Sequence, residues 1–246
     1  MSAPSGPSIH PDAFGLALWS VFTNSVVPEI VERSDGYIEV ADATKYFATF
    51  SEWPLRQQKA MDFVRGVALD VGCGSGRVSL HLQSAGIDVV AIDNSPIAIR
   101  ICRRRGVAKT KLLALENLEQ LGQTFDTVVM MGNNLGLLGG QTTGKRILEM
   151  LHRRTTRHAA IVGELVNPYH WNDAINRRYR AENRQQRRMP GQLRLRIRFR
   201  NVATPWFDYL YASPAELRSI VRGTGWRVSE LIDDAEIKYI AVLEKI

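Results

Sequence analysis

Three glycines at alternate positions form the part of the sequence best suited to hold a ligand. Residues 67–77 read VALDVGCGSGR, in which Gly72, Gly74 and Gly76 follow a mostly apolar run typical of a buried strand. Residues 78–82 then show the apolar spacing of a helix. Glycine lets the backbone turn tightly and pass close to a ligand, and the start of a helix offers unpaired N–H groups at its positive end. This strand, loop and helix predict a site for a nucleotide-like ligand.

The spacing of the glycines separates the possible ligands. A dinucleotide site needs G-x-G-x-x-G, whereas this loop is G-x-G-x-G, with Arg77 where the third glycine would stand. The form D-x-G-C-G-x-G resembles motif I of the class I S-adenosylmethionine-dependent methyltransferases. The resemblance implies S-adenosyl-L-methionine as cofactor and S-adenosyl-L-homocysteine as product, in a site that includes Asp70, Gly72, Cys73, Gly74 and Gly76. A plain tight turn between strand and helix is the alternative interpretation.

A second strand and helix follow the first pair. Residues 87–92 are mostly apolar and predict a buried parallel strand, after which Ser95 and Pro96 suit the start of a helix. Asp93 therefore lies at the carboxyl end of the second strand, about 20 residues after the glycine loop, as the sugar-binding acid of nucleotide sites does. The resemblance assigns it the ribose hydroxyls, with Asn94 beside it. The alternative is an ordinary loop aspartate that faces solvent.

Polar residues also follow the third predicted strand, residues 111–115. In the family that this chain resembles, the next loop brackets the adenine ring. The resemblance therefore implies cofactor contacts for Glu116, Asn117 and Leu118, although the usual G-D-x pattern is missing.

The fourth predicted strand, residues 125–131, opens with Phe-Asp, which resembles the F-D-x-V signature of the family. Open α/β sheets bind ligands beyond the carboxyl ends of their strands. Met131, Gly132 and Asn133 are therefore expected in the cofactor site. Asn133 and Asn134 could hold the methionine end of the cofactor or a polar group of the substrate, or they could satisfy their own backbone in a turn.

Methyl transfer from a sulfonium needs mainly a nucleophile held close and aligned, and a base only where the nucleophile is protonated. No catalytic residue is fixed by motif. His170, just past the fifth strand at 159–166, is the best-placed base candidate, followed by Glu164 and Tyr211, and a satisfied loop histidine is the plain alternative for His170. The N/D/S-P-P-Y/F box expected after strand four in DNA and protein-glutamine methyltransferases is replaced by residues 133–136, which argues against those classes.

Composition excludes several other classes. The 246 residues contain two cysteines, too few for a disulfide scaffold or a multi-cysteine metal site, and no His, Asp and Glu cluster has metal-ligand spacing, so no metal is expected. No apolar run is long enough to cross a bilayer, and residues 1–8 lack the order of a signal peptide, so a cytoplasmic protein with no membrane contact is expected. The net charge of +7 comes mainly from ten arginines between Arg177 and Arg200.

The fold class implied by these elements and the resemblance is α/β. We expect a Rossmann-like seven-stranded sheet, mostly parallel with an antiparallel last strand, with helices on both faces. Residues 1–58 are expected to form an N-terminal helical lid and residues 59–246 the methyltransferase domain, with an Arg-rich, cap-like insertion at 169–205 after strand five. Within it, residues 194–200 alternate strictly, which predicts a strand with Leu195, Ile197 and Phe199 on one face and four arginines on the other.

Three functions remain open. A small-molecule methyltransferase is favoured, because aromatic residues for base stacking are sparse in the Arg-rich run. An RNA methyltransferase, with the arginines on phosphates, is the alternative, and a noncatalytic cofactor-binding protein is the third. The oligomeric state is open, a homodimer included.

Overall fold

Strands and helices alternate along the chain in the computed structural model, which describes residues 12–25, 27–233 and 235–246. The helices are α1 (Ala13–Phe22), α2 (Leu55–Ala60), α3 (Arg77–Ser84), α4 (Pro96–Arg104), α5 (Gln141–Arg153), α6 (Ala174–Gln185) and α7 (Pro214–Val221). The strands are β1 (Glu29–Arg33), β2 (Ile38–Ala41), β3 (Val67–Val71), β4 (Asp88–Asp93), β5 (Thr110–Leu112), β6 (Phe125–Met130), β7 (Thr155–Val166), β8 (Gln192–Phe199), β9 (Val202–Ala203), β10 (Phe207–Leu210), β11 (Trp226–Ile232) and β12 (Lys238–Lys245).

The main sheet has seven strands in the order β11-β12-β7-β6-β3-β4-β5. β12 runs antiparallel to both of its neighbours, and the other pairings, from β7 to β5, are parallel. The predicted seven-stranded mixed sheet with an antiparallel last strand is confirmed. The strand order reverses between β3 and β6, so the loops that follow these two strands lie side by side, at the place where open α/β sheets bind ligands.

Burial on both faces explains why the strands of this sheet are almost continuously apolar. In β3, Leu69 and Val71 pack into the core cluster that holds α5 and α7. Ala68 points the other way and packs with Val78 and Leu82 of α3. Helices therefore cover both faces, and the strands alternate their side chains between two core clusters.

A second, antiparallel sheet has the order β10-β8-β1-β2, with β9 paired to β8. β1 and β2 belong to the N-terminal segment, so the prediction of a helical segment over 1–58 is wrong in part; residues 1–11 lie outside the described residues. Residues 29–33 pair with a partner more than 160 residues away, which a local apolar pattern cannot reveal. β10 lies beyond residue 205 and shares this sheet with β8, and the division of the chain at 58 and at 169–205 stays a prediction.

The helix α1 connects the two sheets. Its Leu18 packs with Ala98 and Ile101 of α4, while Ala17 packs with Phe199 of β8. Asp12 begins the helix by accepting the backbone N–H of Gly15 at 2.7 Å. The other oxygen of Asp12 accepts the Ser95 hydroxyl at 2.6 Å, which holds α1 over the loop after β4.

Among the helices that the structure describes, none is long and apolar enough to span a membrane.

Candidate active site

The glycine loop between β3 and α3 has the backbone conformation that its sequence predicts. Gly72, Gly74 and Gly76 have φ of +68°, +56° and +81°, a region that side chains with a Cβ rarely adopt. The N–H groups of Gly72 and Cys73 both donate to the carbonyl of Ile92, at 2.9 and 3.0 Å. The loop is thus fixed to the end of β4.

Asn134 joins this loop to the loop after β6. Its Nδ2 donates to the carbonyls of Val71 and Gly72, at 3.0 and 2.8 Å. A Cβ on Gly72 would lie 2.5 Å from the same nitrogen. This position therefore requires glycine for two reasons, its positive φ and this close contact. The predicted alternative, in which Asn134 satisfies its own turn, is not what the structure shows.

Asp93 lies beside the glycine loop and is 6% exposed, so the alternative of a solvent-facing loop aspartate is wrong. One oxygen accepts the Gly74 N–H and the other accepts the Ser95 N–H, both at 2.9 Å. Burial raises the pKa of Asp93 to about 6. Each carboxylate oxygen keeps a second lone pair, so the group can still accept hydroxyl donors. Asn94, next to it, is exposed.

Asp70 is also buried, and its Oδ2 accepts the Ser79 hydroxyl at 2.6 Å. The bond anchors the first half of α3 under the glycine loop. Burial raises the pKa of Asp70 to about 6. Cys73 is a buried packing residue, with its sulfur 3.6 Å from that of Cys102. The hydrogen bond with Cys102, together with burial, raises the pKa of the Cys73 thiol, which disfavours the nucleophilic thiolate.

The loop after β6 presents an unpartnered oxygen. Asn133 has φ +71°, its N–H donates to Glu164 Oε2 at 3.2 Å, and its carbonyl accepts the Tyr209 hydroxyl at 2.6 Å. Its side-chain Oδ1 is buried, and nothing in the described part of the chain donates to it. Buried acceptors are nearly always hydrogen-bonded, so a ligand with N–H donors fits here. The ammonium of the methionine part of S-adenosylmethionine is such a group. Met131 and Gly132 precede Asn133 in the same loop.

The loop after β5 differs from its prediction. β5 ends at Leu112, and residues Leu115–Gln120 form a 3₁₀ helix instead of extending the strand. Glu116 and Asn117 are exposed, as an adenine site needs. Leu118 is fully buried in the main core, so its side chain is not available to a ligand, and a cofactor contact at this position stays a prediction for its backbone. The apolar spacing of Leu113, Leu115 and Leu118 belongs to the core.

Glu164, at the end of β7, is 1% exposed and has three partners. Oε1 pairs with Arg56 Nε at 3.0 Å, while Oε2 accepts from Gln57 Nε2 at 2.8 Å and from the Asn133 N–H. Gln57 in turn accepts from Arg77 at 2.9 Å. Glu164 therefore connects α2 to the loop after β6 and, through Gln57 and Arg77, to α3. These contacts engage its charge and its lone pairs.

The other two catalytic candidates lie in different surroundings. His170 is exposed at the end of a 3₁₀ helix, Pro168–His170, and forms no side-chain hydrogen bond among the described residues. Tyr211 packs against Trp171 and Tyr209, with ring centroids 5.3 and 6.2 Å apart. Burial raises the pKa of the Tyr211 hydroxyl, which disfavours its use as a base.

Sequence reasoning did not identify Glu29 and Tyr209, and Tyr46 was expected only as an aromatic residue of the lid. The Ser75 hydroxyl of the loop donates to the carbonyl of Tyr46. The Tyr46 hydroxyl donates to Glu29 Oε1 at 3.3 Å. These residues come from the N-terminal segment and from β10, and no local motif marks them.

No group of three or more His, Cys, Asp or Glu side chains is placed to hold a metal ion within residues 12–25, 27–233 and 235–246.

Comparison with known proteins agrees with this geometry. Residues 68–156 match the family model of the methyltransferase domain. A curated relative, the probable cobalt-precorrin-6B C(15)-methyltransferase (decarboxylating) of Methanococcus maripaludis, is 34% identical over 89 residues, which are 36% of this chain. The chain spans about half the length of that relative, 47%.

Solved structures share the fold over more of the chain. A SAM-dependent methyltransferase from Bacteroides fragilis, solved in complex with S-adenosyl-L-homocysteine, is 23% identical and has a TM-score of 0.82, with 98% of each chain covered. The CcbJ methyltransferase from Streptomyces caelestis is 15% identical with a TM-score of 0.58, and 80% of this chain and 94% of that chain are covered. Residues 68–156 thus match a methyltransferase domain, and the chain shares the fold of these methyltransferase structures.

Proposed function

We propose that this chain transfers a methyl group from S-adenosyl-L-methionine to a small-molecule acceptor and releases S-adenosyl-L-homocysteine. When bound, the cofactor supplies a methyl group on a sulfonium, so an acceptor lone pair can form the new bond while the electrons of the carbon–sulfur bond stay on sulfur.

Residues at the carboxyl ends of β3, β4 and β6 would hold the cofactor. Asp93 would accept the ribose hydroxyls with the lone pairs that Gly74 and Ser95 leave free. Asn133 Oδ1 would accept from the ammonium of the methionine part, because no described residue donates to it. Glu116 and Asn117 would lie beside the adenine. The N-terminal segment would cover the cofactor, as predicted for a lid, through α1 and the 3₁₀ helix Ala43–Phe47.

The placement of the arginines in the second sheet favours a small-molecule acceptor over RNA. Leu193 and Leu195 of β8 pair with Tyr209 and Phe207 on the sheet face that covers the site. The alternating arginines lie on the opposite face, where they pair with acids. Arg196 lies 2.9 Å from Glu32, and Arg194 lies 3.2 Å from Asp208. A polymer bound to this face would not reach the glycine loop.

The matched relative also supports a small acceptor, since its name gives cobalt-precorrin-6B as what it methylates. The likeness covers 89 residues, 36% of this chain, and the acceptor contacts would come from the N-terminal segment and the insertion.

Methyl transfer from radiolabelled cofactor into a cellular metabolite extract and into total RNA, run in parallel, tests this proposal. We expect label in the small-molecule fraction with the wild-type protein, and none with Asp93→Ala. Label in a defined RNA alone would favour the alternative, an RNA methyltransferase. Binding of cofactor without transfer to either pool would favour the noncatalytic protein.

A further inference from the structure

A buried carboxyl group lies near the proposed site and has no ion-pair partner in the part of the chain that the structure describes. Glu29, the first residue of β1, is 2% exposed. Its Oε1 accepts the Tyr46 hydroxyl at 3.3 Å, while no described residue donates to its Oε2. No ion pair among the described residues includes Glu29. An uncompensated buried carboxyl is costly when ionised, so such a group is normally paired or coordinated.

The register of the second sheet determines which of its faces carries Glu29. Arg33 of β1 pairs with Leu195, and Leu193, two residues earlier on β8, pairs with Tyr209 of β10. Because side chains alternate along a strand, Glu29 lies on the same sheet face as Tyr209. The arginines of β8 lie on the other face.

Tyr46 connects Glu29 to the cofactor loop directly. Its carbonyl accepts the Ser75 hydroxyl, and its ring meets that of Phe14 edge-on with the centroids 5.5 Å apart. A Cβ on Gly74 would lie 4.0 Å from the Phe14 ring. Glu29 is therefore one tyrosine away from the loop at which the cofactor would bind.

Glu164 is less suited to act on an acceptor. Arg56 neutralises its charge at 3.0 Å, and Gln57 and Asn133 occupy its other oxygen. Glu29 has a free oxygen, and no cation forms an ion pair with it among the described residues, although the Lys45 ammonium acts on it at longer range. Of these two glutamates, Glu164 has its charge and lone pairs engaged, whereas Glu29 has no ion pair and keeps one oxygen without a donor.

We propose that Glu29 binds the methyl acceptor, that the acceptor is a primary or secondary amine which arrives as its ammonium ion, and that Oε2 of Glu29 takes the proton that the nitrogen must lose. The inference rests on the proposed methyltransferase function and deepens it. An ammonium supplies both the donor and the positive charge that Glu29 lacks, whereas a neutral hydroxyl would supply the donor alone. The ring of Tyr46, whose hydroxyl contacts the carboxyl, favours a cation further.

The proton balance is simple. The ionised carboxyl and the ammonium become a carboxylic acid and a neutral amine, whose lone pair is then free for methylation. The methylated nitrogen carries the positive charge again, and the carboxylic acid returns its proton to water when the product leaves. Burial raises the pKa of Glu29 to about 7, which suits a group that gains and loses a proton near neutral pH.

Calorimetry with two ligands tests the proposal without knowledge of the acceptor. Sinefungin carries an amine-bearing carbon in place of the methylated sulfur of S-adenosyl-L-methionine, so its ammonium lies where the transferred methyl group would meet the acceptor. S-adenosyl-L-homocysteine lacks that charge. In Glu29→Gln we expect the affinity for sinefungin to fall roughly tenfold or more, because a charged hydrogen bond is lost. The affinity for S-adenosyl-L-homocysteine should stay within about twofold of the wild-type value.

Glu39→Gln is the matched control. Glu39 pairs with Val31 and so lies on the same sheet face as Glu29, but it is exposed. It should leave the ratio of the two affinities unchanged. If Glu29→Gln still binds both ligands measurably, equal changes in the two affinities, or no change, would overturn the inference. Failure of the wild-type protein to bind S-adenosyl-L-homocysteine would instead contradict the proposed function.

If Glu29→Gln loses both ligands, the wild-type pH dependence decides. The ratio of sinefungin to S-adenosyl-L-homocysteine affinity should rise from pH 5.5 to 8, as Glu29 ionises, and a flat ratio would overturn the inference. The other charged and titratable groups around Glu29 are Lys45, Glu39, Asp42 and the Tyr46 hydroxyl. The Glu39→Gln variant shows how much of the pH dependence of the affinity ratio comes from Glu39.

In the labelled extract, the methylated product should be retained on a cation exchanger at pH 7. Label only in neutral or anionic compounds would overturn the amine assignment.

Discussion

Arg56 Nε lies 3.0 Å from Glu164 Oε1, and this ion pair joins the N-terminal segment to the carboxyl end of β7. The Glu164 side chain is 1% exposed and the Arg56 side chain 19% exposed. Water screens a pair of this kind poorly, so the loss of one partner leaves a buried charge without compensation.

Arg56→Ala should therefore lower the free energy of unfolding by about 2–3 kcal/mol, a value reduced from the usual range because Arg56 is partly exposed. Urea denaturation measures this effect. Arg153→Ala is the matched control, because Arg153 and Glu119 form a pair 3.8 Å apart with both side chains more than half exposed. The double variant with Glu164→Gln should recover part of the loss. If Arg56→Ala and Arg153→Ala lower the free energy of unfolding equally, the buried ion pair stabilises the fold no more than the exposed one does.

The second prediction concerns Gly72. In Gly72→Ala, both the positive φ and the contact with Asn134 Nδ2 oppose the new methyl group, so Asn134 must move and lose its bonds to the loop. We expect the affinity for S-adenosyl-L-homocysteine to fall by roughly tenfold, the effect of about one hydrogen bond of this strength. Gly86→Ala isolates the backbone strain, since Gly86 has φ +79° with no atom within 4 Å of a Cβ. If both variants keep wild-type affinity, the loop geometry does not set cofactor binding.

A third prediction follows from the burial of Glu29, which raises its pKa from 4.5 to about 7. The folded state then holds the proton more tightly than the unfolded state does. The free energy of unfolding has its full value below pH 4.5, where Glu29 is protonated in both states. This contribution to stability is lost as pH rises through 7. Glu29→Gln does not titrate, so between pH 5 and 8 the wild-type protein should lose roughly 2.5 kcal/mol of stability relative to the variant. Urea denaturation of both proteins at the two pH values measures this, and a constant difference would contradict it.

The fourth prediction concerns the arginine face of the second sheet. Arg194 and Arg196 pair with Asp208 and Glu32 on the face turned away from the site. Replacing both with Gln should leave the affinity for S-adenosyl-L-homocysteine unchanged. RNA binding should be weak in the wild-type protein and largely lost at moderate salt, because it would come only from phosphate neutralisation. Methylation of a defined RNA that these substitutions abolish would show that the RNA alternative is correct.

The main sheet could be predicted because its signals are local. The strand, glycine loop and helix at 67–84, and the strand that ends at Asp93, each lie within one short stretch of chain. Their apolar runs and glycines therefore determine them without distant contacts. The ribose role of Asp93, like the other site assignments and the cytoplasmic location, stays a prediction.

Long-range pairing set the limit of the sequence reasoning. Glu29 acquires its position only when β1 pairs with β8, and its isolation only when Tyr46 folds over the glycine loop. The alternation of 194–200 predicted the strand and its arginine face, except at Arg200, which lies in a turn after β8 with φ +52°. His170 satisfied the sequence criterion for a base, but it is exposed in the structure.

Calorimetry of S-adenosyl-L-homocysteine binding to the wild-type protein and to Asp93→Ala tests the central claim most directly. The claim is that the glycine loop and Asp93 form the cofactor site of a methyltransferase. We expect saturable one-site binding, weakened by about 1.5–3 kcal/mol in Asp93→Ala through the loss of charged hydrogen bonds. Asp88→Ala, at the exposed start of the same strand, should bind as the wild type does. Tight binding of NAD with no response to S-adenosyl-L-homocysteine would contradict the claim.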